Sequence, residues 1–542
     1  GPAFSVISTC LTHSFGFEEL SPHTILLFSP TMPKHFLLFS ATTWGHTRPP
    51  ISLAAKLISL SSEHYVTLIV STVQRHNVMR EISFYDVDTD RLHVLCLGTE
   101  TKTEGYVSAA EIAASYVMMI DQFNYVFPRV MKCESLRDDY LKEDVPSFTT
   151  VPSVAIVDLT ITPVVIESCR KIAAEVQAEC TFLAFCPLST PYGLWSGAWE
   201  AAGDYVGLLE RYEKITAAGE DKYDEMLDKE IMKNEDRIEV PGLAPTYVFE
   251  TCPNAPDMFL RYMGPIAKGT TKWDGIIFAW PAFMGKDYKE YCEHRHFPSY
   301  LIGPLQPSFT GRGQAHITFG GKREELVISE FLDKAVTEEG RRCVLYISFG
   351  TLFWPPSVLQ AQVFLDVLVE LGIRFVLVQG QATSDHVSVA EEKIRQSGGK
   401  GIMVRWAPQN AILNHPGTGC FLTHGGSNST LEAIRLKVPL IFWPGSADQT
   451  QTANALTHIY DVGIELLQVR NGYNIGRRTA LGVLVENTKD SLTKEFREIF
   501  HGMMRGKMGE RKRDNMEKLA DQMREDSDSG LSQKEMLRLV AA

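Results

Sequence analysis

A chain of 542 residues that is 44% hydrophobic exceeds what one core accommodates, and it predicts two ordinary domains. Its 53 Lys and Arg stand against 66 Asp and Glu, a formal charge of -13, and no basic run is dense enough to follow a phosphate backbone, which argues against nucleic acid as a partner. The ten cysteines contain no CxxC pair and read as reduced thiols of a cytoplasmic protein, no stretch reaches the length of a membrane span, and a monomer is the expectation.

Residues 1–31 lack Lys and Arg but carry Glu18 and Glu19, unlike a secretory signal or a transit peptide, and read as an N-terminal extension ahead of a start at Met32. From there, apolar runs of strand length alternate with helix-like stretches: HFLLFSA then PPISLAAKLISL, YVTLIV, SVAIVDL then TPVVIESCRKIAAEV, TFLAFC and GIIFAW. That alternation predicts βα units in a parallel sheet covered by helices on both faces. The first such domain spans 32–305, with a charged, helix-prone insert at about 209–238 that reads as a solvated face or a mobile cover. A polar, Gly-rich connection over 306–335 leads to CVLYISFG, IRFVLVQG, IMVRW, GCFLTH and VPLIFW, a second α/β domain over 336–515. Residues 516–542 form a helical tail expected to pack back on the first domain.

In open parallel sheets, ligands bind beyond the carboxyl ends of the strands. His46, Asp158, Thr351, Trp406 and His424 hold such positions, and they fall in both domains, which points to an interdomain cleft. The stretch HGGSNST, residues 424–430, ends a strand and opens a helix, so its N–H groups and short donors suit an anion such as a diphosphate. A ligand-free reading exists as well, because Ser429–x–x–Glu432 has the spacing of a capping box. GxxxxGK[ST], a complete GxGxxG after a strand, and GxSxG are all missing, so ATPase, dehydrogenase and nucleophile-elbow hydrolase readings lose their main support.

From Trp406 to Gln449 the chain reads WAPQNAILNHPGTGCFLTHGGSNSTLEAIRLKVPLIFWPGSADQ, which resembles the donor-binding signature of the family 1 UDP-glycosyltransferases. GHTRPPISLAAKL, VPGL at 240–243, YLIGPL at 300–305 and VLYISFGT at 344–351 continue the resemblance in the expected order. It implies the GT-B fold: two facing Rossmann-like, doubly wound parallel-sheet domains with a cleft between them. It also implies a UDP-sugar, glucose by preference, as co-substrate, with no separate cofactor and no metal.

Residue by residue, the resemblance implies that Trp406 stacks on uracil and Ala407 meets the base edge, while Gln409 and Glu432 take the ribose hydroxyls. Thr351, His424, Gly426, Asn428 and Ser429 would hold the diphosphate, and Asp448 with Gln449 the sugar. Ser427 stands where plant members usually carry Trp, and Gly425 where they often carry Cys, which removes bulk beside the sugar. His46 matches the family's general base, and Asp158 matches the carboxylate that orients it, although an Asp after a strand also suits a helix cap. Phe185, Trp195 and Trp199 offer aromatic surface for a small apolar or aromatic acceptor. Asp86, Asp88 and Asp90 have DxD spacing but read as a polar turn. The expected reaction is inverting, metal-independent hexosyl transfer; a UDP-sugar epimerase or hydrolase, or an inactive UDP-sugar-binding protein, is the alternative.

Overall fold

The computed structural model describes residues 33–98, 109–191, 193, 208–239, 241–251, 253–254, 266, 269–270, 272–351 and 353–541. The extension at 1–31 and the acceptor candidates Trp195 and Trp199 lie outside the described residues.

The first sheet is formed by β1 (His35–Phe39), β2 (Tyr65–Ser71), β3 (Leu92–Leu97), β4 (Val154–Asp158), β5 (Thr181–Cys186), β6 (Gly275–Phe278) and β7 (Ser299–Leu301). All its pairings are parallel, in the order β7-β6-β5-β4-β1-β2-β3. Every residue of β1 is buried because both sheet faces are covered. Successive side chains point to opposite faces. Leu37 and Phe39 thus join a cluster with Phe123 and Phe127, while Phe36 and Leu38 join Ile51, Leu53 and Leu57. Burying each of these large apolar side chains is worth about 2 kcal/mol over leaving it exposed.

A second parallel sheet contains β8 (Val344–Ser348), β9 (Arg374–Val378), β10 (Gly401–Val404), β11 (Thr418–Thr423), β12 (Leu440–Phe442) and β13 (Gly463–Glu465). Its order is β10-β9-β8-β11-β12-β13. The same period-two division recurs, with Leu345 and Ile347 in one core cluster and Val344 and Tyr346 in another. In both sheets the strand order reverses once, between β1 and β4 and between β8 and β11. Those reversals open a crevice at the strands' carboxyl ends. Asp158 closes β4 and His46 follows β1, whereas Thr351 follows β8 and His424 follows β11.

The segment read as a polar connection over 306–335 contains a helix, Arg323–Glu339, whose Ile328, Phe331, Leu332 and Ala335 form a buried stripe at helical spacing. Glu324 and Glu325 occupy its first turn, where carboxylates favour the helix dipole. The charged insert folds into helices Leu208–Ala217 and Tyr223–Leu227 and reaches the second domain, where Tyr473 donates to Asp228 at 2.9 Å and Arg477 pairs with Glu235. It is therefore docked rather than free-standing. The last helix, Leu531–Ala541, places Met536, Leu539 and Val540 in the first domain's core and sets the Arg538 guanidinium 4.1 Å over the Tyr300 ring.

The eight described cysteines are free thiols. No helix among the described residues is long and apolar enough to cross a membrane. Asp88 forms the polar turn anticipated for the aspartate run: it accepts from Asp90 N at 3.1 Å and pairs with Arg91 Nε at 2.8 Å.

Candidate active site at the domain cleft

Helix α1 (Trp44–Leu60) begins directly after β1 and carries His46 in its first turn. Its Pro49 has no N–H, so the Gly45 carbonyl four residues earlier has no helical donor. Asn428 of the second domain fills the gap, its Nδ2 donating to Gly45 O at 2.9 Å. This bond holds the histidine turn against the loop after β11.

His46 Nδ1 lies 2.8 Å from Asp158 Oδ2, and the Asp158 side chain is fully buried. The other carboxylate oxygen accepts from Thr160 N at 3.0 Å. The following helix, Thr162–Glu175, is capped by Ile161, so the capping alternative for Asp158 does not hold. Burial alone would lower the His46 pKa, but the Asp158 carboxylate, its hydrogen bond, and the charge of Asp448 raise it above the ordinary value. With Nδ1 donating to Asp158, Nε2 is the ring atom left to accept a proton.

Across the cleft, helix α2 (Ser427–Arg435) has Gly426 as its N-cap, without a side-chain cap. The capping-box reading of Ser429 and Glu432 is thereby overturned: Ser429 is the third helical residue, and its hydroxyl accepts from Gln409 Nε2 at 3.2 Å. The N–H groups of the first turn are left to point at whatever faces the helix start. His424 is wedged between two glycines, since a Cβ would come within 2.6 Å of its ring at Gly350 and 2.5 Å at Gly426. Gly350 and Gly425 both adopt the left-handed backbone, at φ 75° and 90°. Burial pushes the His424 pKa down to about 4, leaving a neutral ring able to donate one N–H. Thr351, the residue after Gly350, is exposed, and its carbonyl accepts from Gln381 Nε2 at 2.8 Å.

Glu432 is buried at the centre of a polar cluster. Helix α3 (Gln409–Asn414), which precedes α2 in the chain, supplies Gln409 Nε2 to Oε2 at 2.5 Å and Asn410 Nδ2 to Oε1 at 2.7 Å. The third partner comes from the first domain: Arg48, two residues after His46, donates to Glu432 Oε1 and, through Nε, to Glu81 at 3.0 Å. Burial would raise the Glu432 pKa, yet the Arg48 charge and the surrounding donors hold it below the ordinary carboxylate value. Arg48 also donates to His316 Nε2 at 2.8 Å, and burial with the Arg48 charge pushes the His316 pKa down to about 3. Trp406 is 44% exposed with the Arg80 guanidinium 4.9 Å over its ring, and Ala407 beside it is buried. The sequence reading missed Arg48, Glu81, Asn410 and His316. Only Arg48, inside GHTRPP, and Asn410, next to Gln409, stand in motifs that could have flagged them.

Beyond the helix start, Asp448 Oδ2 accepts from the Ser427 hydroxyl and from Ser189 N of the first domain at 3.2 Å. Burial raises the Asp448 pKa, opposed by these hydrogen bonds. Gln449 turns its Oε1 towards Gly445 N at 2.8 Å and Ser446 N at 3.0 Å, so its amide nitrogen is the end free of that turn. Phe185 departs from expectation. On β5 it shares a face with Leu183, is 1% exposed, and packs among Phe36, Ile156 and Ile277, so it is a core residue rather than acceptor-pocket surface.

Residues 322–490 match the UDP-glucoronosyl and UDP-glucosyl transferase family. The matched stretch holds the whole second sheet and the loops after β8 and β11, and there the chain is similar to the UDP-glycosyltransferases. It is 31% identical over 234 residues to UDP-glycosyltransferase eriJ of Hericium erinaceus, covering 42% of this chain and 45% of that protein. Identity is 34% over 194 residues with 7-deoxyloganetic acid glucosyltransferase of Catharanthus roseus, covering 32% and 37%. The chain thus aligns with less than half the length of these curated UDP-glycosyltransferases. The structure of Phytolacca americana UGT2 complexed with UDP-2fluoro-glucose and pterostilbene superposes at a TM-score of 0.63 and 19% identity, over 95% of this chain and 100% of that one. TcCGT1 in complex with UDP superposes at 0.65 and 19% identity, over 94% and 99%. The fold is GT-B.

Proposed function

We propose that this chain is a UDP-glycosyltransferase that transfers a hexose, glucose first among the candidates, from a UDP-sugar to a hydroxyl of a small apolar or aromatic acceptor, with inversion at the anomeric carbon. The observation that carries the reading is the His46–Asp158 pair at 2.8 Å, tied to the donor-side loop by the Asn428–Gly45 hydrogen bond. An imidazole whose far nitrogen is held by a carboxylate is built to take a proton and to be stabilised once charged.

In the proposed step, His46 Nε2 removes the acceptor's hydroxyl proton as its oxygen bonds to the anomeric carbon from the face opposite UDP. The bond from that carbon to the β-phosphate oxygen breaks, and its electron pair leaves with UDP. Negative charge then grows beside His424 and the N–H groups opening α2, donors already in position before the step. These donors serve the role that a cation fills elsewhere, so the reading is metal-independent. Gln409 and Glu432 would take the ribose, Trp406 the base, and Asp448 with Gln449 the sugar.

His46→Ala separates this reading from its competitors. We expect the rate to fall at least ~100-fold, in line with loss of a general base, while calorimetric titration shows UDP binding retained. An unchanged rate removes His46 from the chemistry. Products formed from a UDP-sugar without any acceptor would instead reveal epimerisation or hydrolysis, and the anomeric configuration of a transfer product, read by NMR coupling constants, tests inversion.

A further inference from the structure

An ionised carboxylate offers about four acceptor sites. Glu432 already uses three of them, on Oε1 for Arg48 Nη1 and Asn410 Nδ2 and on Oε2 for Gln409 Nε2. One is left, whereas a ribose presenting both hydroxyls needs two. Binding a nucleoside diphosphate in this way therefore requires one existing partner to withdraw.

Resting on the donor role proposed above for Glu432, we propose that the partner that withdraws is Arg48, which makes it a positioning residue that sets nucleotide affinity from the opposite domain. Three observations single it out. Gln409 and Asn410 stand at the start of α3, in the same domain as Glu432, whereas Arg48 reaches it from α1 across the cleft. Arg48 also has a second buried carboxylate, Glu81, at 3.0 Å, so its charge stays paired when Glu432 is released. Finally, His316 Nε2 accepts from Arg48 Nη2 at 2.8 Å, giving the freed guanidinium a neutral partner on the connection between the domains. A buried cation that lost its only carboxylate would cost far more than this exchange. The ribose hydroxyls thus replace a charged donor instead of filling open acceptor sites.

The test is calorimetric titration of the full chain with UDP and with 2′,3′-dideoxy-UDP, which cannot displace Arg48. Arg48→Met should tighten UDP about fivefold or more, the lower end of ordinary site coupling, and leave dideoxy-UDP unchanged. Glu81→Gln should act oppositely, weakening UDP by a similar factor, because Arg48 is then left with Glu432 as its one carboxylate. A role confined to fold stability predicts that both ligands weaken in both variants. The proposal is overturned if folded Arg48→Met binds UDP more weakly, or if Glu81→Gln leaves UDP affinity unchanged. Should Arg48→Met fail to fold, Glu81→Gln decides alone. If the unsubstituted chain bound no UDP, the donor role of Glu432 would fall first and this inference with it, an outcome separate from the other two.

Discussion

At the scale of single residues, His46 is where environment decides chemistry. A base must be neutral to act, and Asp158 holds the imidazole's pKa above its ordinary value. Activity should therefore be lost as pH falls through a midpoint above about 6.5, the ordinary histidine value. Asp158→Asn removes the charge that raises that midpoint. We expect the acidic limb of kcat/KM to move to lower pH while the plateau drops at least ~100-fold, because an amide does not stabilise the imidazolium. A pH–rate profile of the two proteins checks this, and a limb that stays in place would show that Asp158 does not govern the titration. The pairing was legible in the sequence because GHTRPP and the Asp that ends SVAIVD match the base and the orienting carboxylate of the family the chain resembles. The Arg48 contact to Glu432 was not, since a side chain reaching across 384 residues leaves no local periodicity.

Elements were read well where burial is two-sided and poorly where it is not. Strands such as β1 and β4, covered on both faces, appear as unbroken apolar runs. The helix Arg323–Glu339 hid because a Gly-rich, polar stretch precedes it and its apolar stripe is narrow. Phe185 was misassigned for a related reason: an aromatic at a strand end can face either helical layer, and composition does not say which. The start of α2 supports a sharper expectation. Gly426 has an ordinary extended backbone, at φ -62° and ψ 143°, so alanine there brings no conformational strain, only a Cβ 2.5 Å from the His424 ring. Gly426→Ala should therefore weaken UDP binding about tenfold or more through displacement of that ring, the scale of one charge-assisted hydrogen bond, with little change in melting temperature. Calorimetry beside a thermal melt separates the two effects; a large fall in Tm would mean that the glycine serves folding instead.

For the whole molecule, the two domains are joined by two buried clusters of ion pairs. Besides Arg48 and Glu432, Arg470 of the second domain reaches Glu250 of the first at 2.6 Å while holding Glu465 at 2.8 Å. Glu250→Ala leaves a buried guanidinium with one carboxylate where it had two, and removes an acceptor from Ala480 N. Breaking such a pair costs on the order of 3 kcal/mol, so chemical denaturation should show a lower midpoint, with the domains separating into two transitions. A single unshifted transition would show that this contact contributes nothing to their association. None of these cross-domain partners could be paired from the sequence, which shows two domains but not the faces they turn to each other.

Proline one turn into α1 means that the segment bearing His46 cannot complete its own main-chain ladder. The missing rung is lent by Asn428, so a peptide carbonyl registers whether the halves have come together. Because the acceptor is backbone, side-chain drift along that helix leaves the handshake intact as long as the imino acid stays. The clasp between the histidine turn and the loop after β11 therefore depends on Pro49 and Asn428 alone, whatever side chains flank Gly45.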